Sequence, residues 1–202
     1  MTMKWTDITI TGVIILQKHL IFFDSNPIIA NNHSLNTGHV KRFISNSNKI
    51  AISTVTIDEV VRNFRNNEQK QIEKLKDLIS DCSRYGIDVS FTQTKNIEDS
   101  LSQELKELSV EVLETSLADV NFILEKAMNL KKPFKQKSGK ETGGFKDALI
   151  WNTWMMHAKE VHNNYDFLIF VTHDGDFIDQ NLSVLAPDLM EDVKRYGIPT
   201  EK

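Results

Sequence analysis

Residues 165–177 read YDFLIFVTHDGDF. Five apolar residues, Phe167 to Val171, follow one another without a break, and beyond Thr172 two acids, Asp174 and Asp176, flank a glycine. A short unbroken apolar run suits a strand covered on both faces, as in parallel sheets whose crossovers are helices. The spacing predicts a strand over Phe167 to Thr172 that ends in an acidic turn.

Working outward, the same signature recurs. HLIFFD gives a run from Leu20 to Phe23 that stops at Asp24, and KIAISTV gives a strand around Ile50 to Val55 with a helix starting at Thr56. Val60, Val61, Phe64, Ile72, Leu75, Leu78 and Ile79 recur at helical spacing up to Gly86, a natural stop. IDVSF, residues 87–91, is strand-like. Residues 97–130 carry a leucine-rich stripe that predicts one or two helices, and a helix is expected from Asp147 to about Val161 around Trp151, Trp154 and Met155. LMEDVKRYG closes the chain as a helix stopped by Gly197. This order predicts an α/β domain on a mostly parallel sheet of about four or five strands, with those near Phe22, Ile52 and Ile169 as neighbours.

Composition narrows the class. A chain of 202 residues suits one core rather than two, and 40% hydrophobic with 26% charged residues is ordinary for a soluble protein. The single Cys82 excludes an internal disulfide and suits a reducing, cytoplasmic setting. ITGVIIL is far too short to span a bilayer, so neither membrane anchor nor signal peptide is expected. A net charge of −4 gives no global attraction to nucleic acid, so an anionic substrate would need a local patch. Lys131 to Lys146 holds six lysines against one glutamate, with Pro133, Gly139, Gly143 and Gly144 marking a loop. Lys95 to Glu125 holds eight acids against two lysines, as on a solvated helix face.

The acids share one location. Asp24, Asp174 and Asp176 follow strand ends, while Glu59 and Asp147 fall in first turns of predicted helices. In open α/β sheets ligands bind beyond the carboxyl ends of the strands, and carboxylates gathered there need a proton or a cation between them. Hard oxygen donors without histidine or cysteine at ligand spacing point to Mg²⁺ or Mn²⁺. Each acid also has a local explanation. Asp24 could begin a turn before Pro27, Thr56 to Glu59 forms a capping-box pattern, Asp147 suits a helix dipole, and Asp174-Gly175 suits a turn.

IFFDSNPII, ISTVTIDEVV, GGFKDALIW and FVTHDGDF occur in an order that resembles the PIN-domain nucleases, the last two looking most like a bacterial branch. The resemblance covers roughly residues 18–197. It implies a Rossmann-like three-layer α/β/α sandwich with a mainly parallel central sheet. It also implies a metal-dependent endoribonuclease site that uses Mg²⁺ or Mn²⁺. By position, the family's acids fall on Asp24, Glu59, Asp147 and Asp174 as catalytic and metal-binding residues, with Asp176 assisting the metal. Thr172 resembles the small hydroxyl residue beside the site, and Lys135, Lys137, Lys140 and Lys146 would hold substrate phosphates. Gly143 and Gly144 would let the backbone approach closely, and Phe145 would pack as core, with base stacking as the alternative.

The whole chain, 1–202, then reads as one PIN-like domain with an N-terminal extension (1–17), a helical insertion (95–130) and a basic loop (131–146). The expected partner is an RNA substrate and not a membrane, and a homo-oligomer or a regulatory protein partner stays open. Two other readings compete. A catalytically inactive PIN-like module would bind RNA or protein without cutting. A haloacid-dehalogenase-like phosphatase would use Asp24 as nucleophile, but Asn26 stands where that pattern needs a second aspartate.

Overall fold

The computed structural model describes residues 17–90, 92, 96–134, 136–137, 140–141, 143–179 and 184–200. Strand β1 (His19–Phe23) lies at the centre of a four-stranded sheet with β2 (Lys49–Ser53) on one side and β6 (Phe167–Val171) on the other. A short β3 (Glu111–Leu113) extends the sheet beyond β2, giving the order β3-β2-β1-β6. All three pairings are parallel. The expected neighbours are in register, Ile21 facing Ile50 on one side and Ile169 on the other.

Side-chain alternation along β1 and β2 builds two cores, one on each face of the sheet. Leu20, Phe22 and Ala51 point towards α6 (Phe145–Val161) and α7 (Pro187–Arg195), where Phe22 stacks on Trp154 with ring centroids 5.1 Å apart. Phe23 and Ile52 point the other way, onto α1 (Ser25–Ala30), α3 (Thr54–Arg84) and α4 (Ile97–Glu107), with Ile28, Val60, Leu101 and Leu105 buried between them. The result is a three-layer α/β/α sandwich. Helix α2 (Gly38–Ser45) leads into β2, and α5 (Val120–Met128) packs Phe122 and Ile123 against Ala148 in a third, smaller cluster. Two small antiparallel pairs complete the fold, β4 (Gln136–Lys137) with β5 (Lys140–Glu141), and β7 (Ile178–Asp179) with β8 (Val184–Leu185).

Several elements differ from the sequence expectation. The stretch 97–130 is not helical throughout, since residues 111–113 form β3 between α4 and α5. Val112 and Leu113 continue a leucine spacing compatible with a helix, but pairing with Ala51 to Ser53 holds them extended. Residues 87–90 form no strand and are exposed. The basic segment contains the β4–β5 pair, and α6 starts at Phe145, two residues before Asp147. The N-terminal extension, residue 17 apart, lies outside the described residues. No helix among them is long and apolar enough to cross a membrane.

Candidate metal centre

Strand order turns back at β1: the chain steps outward through β2 to β3, then returns to place β6 on β1's free side. The carboxyl ends of β1 and β6 therefore lie together at the point where α/β sheets open a crevice. They are level, for the Asp24 amide donates to the Val171 carbonyl at 3.0 Å.

Asp24 caps α1 and is almost wholly buried at 2% exposure. Its Oδ1 accepts from the Ser25 amide at 2.7 Å and its Oδ2 from the Thr172 hydroxyl at 2.8 Å. Burial raises the carboxyl pKa, the bonds from Thr172 and Ser25 oppose the rise, and the negative charges of Glu59 and Asp174 add to it. The local role foreseen for Asp24, starting a turn into α1, is real, yet it does not explain why the carboxylate is sealed beside two other acids.

After β6 the chain folds back on its own side chains. The Thr172 hydroxyl accepts from the Asp174 amide at 2.9 Å, and Asp174 Oδ1 accepts from the Asp176 amide at 2.8 Å. Asp147 approaches from the first turn of α6, whose cap residue Gly144 has φ of 103° and offers no side-chain cap. A Cβ at Gly144 would stand 2.8 Å from the Pro133 carbonyl oxygen and 2.9 Å from Phe134 Cα. Glycine is required there by the crossing of residues 133–134 as well as by the backbone angle.

Carboxylate oxygens of Asp147, Asp174 and Asp176 lie within 4.8 Å of one another, close enough to share one cation. Burial first, then the charges of Asp174, Asp24, Glu59 and Asp176, push the Asp147 carboxyl up to about 6. An all-carboxylate donor set fits a hard divalent ion and not a soft or imidazole-seeking one. The ion would also relieve the repulsion that raises Asp147.

Glu59 corrects the capping-box reading. The side-chain cap of α3 is Ser53, whose hydroxyl accepts from the Thr56 amide at 3.0 Å, so Glu59 falls in the second turn and caps nothing. Its carboxylate instead accepts from the Ser25 hydroxyl at 2.9 Å and pairs with the Lys146 ammonium at 3.0 Å. Asp24 and Glu59 thus flank the trio, joined by Ser25, and Asp176 takes a place in it. Ser25 was missed in the sequence. Its only signal was a hydroxyl residue directly after Asp24.

The expected phosphate-holding residues fare unequally. Lys146, half exposed, sits on Glu59. Lys137 and Lys140 are backbone register partners in the β4–β5 pair, and Lys135 lies outside the described residues. The Thr172 hydroxyl gives its proton to Asp24, which leaves it no donor for a phosphate; it braces two acids instead of gripping substrate. Phe145, expected as core, is the first residue of α6 and is 51% exposed.

Residues 21–177 match the model of the PIN domain, more than half of the chain. The protein belongs to the PIN-domain family, whose members are typically metal-dependent nucleases. No curated protein and no solved structure matches the chain.

Proposed function

We propose that this protein is an endoribonuclease that hydrolyses RNA phosphodiester bonds with Mg²⁺ or Mn²⁺. The observation that carries the reading is the meeting of Asp147, Asp174 and Asp176 at the end of β6. These three would hold the ion, with Asp24 as a further ligand fixed by Thr172 and Ser25. When bound, such an ion lowers the pKa of a coordinated water and stabilises charge on the phosphate and the leaving oxygen.

The remaining residues bind and orient. Glu59, held by Ser25, would align the attacking water for in-line approach to phosphorus. Lys146 would exchange its contact with Glu59 for a backbone phosphate, supported by the lysines of the basic segment. Exposed Phe145, one residue earlier, offers a face for an unstacked base, which favours single-stranded RNA. Asn26 supplies no second acid for a phosphatase, and that reading leaves Glu59 and Asp147 idle. The test is cleavage of labelled single-stranded RNA, with DNA alongside, in Mn²⁺ and in EDTA. RNA cleavage in Mn²⁺ that stops in EDTA is expected, and full cleavage in EDTA would contradict the reading.

A further inference from the structure

Five acids gather at the candidate metal centre, and they are not neutralised alike. Among the described residues, Asp147, Asp174 and Asp176 form the group whose oxygens lie close enough to share one ion, and Asp24 and Glu59 stand outside it. Asp24 is held by hydrogen bonds from Ser25 and Thr172. Glu59 meets a full positive charge. Its Oε1 accepts from the Lys146 ammonium at 3.0 Å, while its Oε2 accepts from the Ser25 hydroxyl at 2.9 Å. Both oxygens are thereby engaged.

Lys146 is not where a helix favours a lysine. It is the second residue of α6, and the amide dipoles at a helix N-terminus repel a cation. Asp147, next in the chain, suits that place. Successive helical residues leave the axis about 100° apart, so one turn sends Asp147 to the trio and Lys146 to Glu59 on α3. Gly144, under the crossing of residues 133–134, fixes where that turn begins. The contact with Glu59, and not the helix, accounts for the lysine.

We propose that Lys146 stands in for a second metal ion: in the RNA-free protein its ammonium neutralises Glu59, and the site loads a single divalent ion. If the protein works with a divalent ion as proposed above, on which this rests, Lys146 sets both the number of ions and the moment at which Glu59 acts. An ammonium on a flexible stem is suited to leaving. The Lys146 side chain is 49% exposed and that of Glu59 26%, and so open a pair holds weakly. A substrate phosphate competes for the ammonium with the same sign of charge as Glu59, and until it arrives Glu59 stays engaged at both oxygens.

The test is a Mn²⁺ titration of the full-length, RNA-free protein, with the free ion counted by electron paramagnetic resonance. Wild type should bind one ion per chain. Glu59→Gln should leave that affinity within about threefold, as for loss of one partly exposed neighbouring charge. Lys146→Met should admit a second ion, Lys146→Arg should not, and Lys146→Met combined with Glu59→Gln should return to one. Melting curves in EDTA show whether each variant is folded, and the Glu59→Gln arm decides even if Lys146→Met folds poorly. Two ions in wild type, a loss of more than about tenfold in Glu59→Gln, one ion in folded Lys146→Met, or a second ion in Lys146→Arg would each overturn the proposal and leave the metal-dependent reading standing. No Mn²⁺ bound by any of these proteins would overturn both.

Discussion

The hydroxyl of Thr172 donates to Oδ2 of Asp24 at 2.8 Å and accepts from the amide of Asp174 at 2.9 Å, so one side chain ties the ends of β1 and β6 together. Removing the hydroxyl leaves that buried oxygen only the long contact from Asn26 Nδ2 at 3.5 Å, at a cost of about 1–3 kcal/mol. Thr172→Val should lose that much stability in urea denaturation. It should also move the acid limb of the pH–activity profile upward, since the bond is what holds the Asp24 pKa down against burial. Thr172→Ser keeps the hydroxyl and should restore both.

Asp147 makes metal-free stability depend on pH. Its carboxyl is raised from 3.8 to about 6 in the folded chain, so between these values the native state binds the extra proton. Stability from this group is therefore lost as pH rises from about 4 to about 6, up to roughly 3 kcal/mol, and stays lost above that. In EDTA the protein should melt at a higher temperature at pH 5 than at pH 8, and Mn²⁺ should shrink the difference by stabilising the ionised form. Asp147→Asn should raise the melting temperature at pH 8 in EDTA and abolish the Mn²⁺ response. A melting temperature lower at pH 5 than at pH 8 in EDTA would contradict this.

Phe145 is 51% exposed and is a member of none of the three cores among the described residues. Phe145→Ala should leave stability within about 0.5 kcal/mol, yet raise KM for single-stranded RNA by roughly tenfold, as expected for loss of one base-stacking contact. An unchanged KM would remove Phe145 from the substrate path.

The Lys126 ammonium and Asp192 Oδ2 meet at 2.5 Å with both side chains buried, and the Trp151 indole N–H donates to the same oxygen at 2.8 Å. Burial nevertheless keeps the Asp192 pKa raised, with the bond and charge of Lys126 pulling against it. Lys126→Ala should cost about 3–5 kcal/mol by stranding a buried carboxylate, read as a lower urea midpoint. Asp192→Asn should cost a similar amount, because it leaves the buried Lys126 ammonium without its counter-charge.

The frame of the fold was legible because β1, β2 and β6 are unbroken apolar runs, a pattern that few alternatives satisfy. β3 was not. Three residues, Glu111 to Leu113, are too few to show a period, and the leucines before them keep helical spacing. Asp147 and Asp174 were readable from their positions after a glycine pair and a strand. Asp176 was legible as an acid assisting the metal through the family resemblance, while the bond from its own amide to Asp174 that shapes the turn is one no residue spacing announces. Glu59 carried a misleading local pattern, for Ser53 stood three residues before Thr56 and took the cap. Lys126 and Asp192, far apart in the chain, offered no sign of each other.

If Asp147, Asp174 and Asp176 together hold a divalent ion, Mn²⁺ titration by calorimetry must register it. Wild-type protein at pH 7.5 (a pH above the Asp147 value of about 6) should bind Mn²⁺ with little proton release, because the Asp147 carboxylate is already ionised there. Asp174→Asn and Asp176→Asn should each weaken binding at least about tenfold, with their melting curves in EDTA intact. Equal affinity in wild type and both variants would place any ion elsewhere and contradict the account.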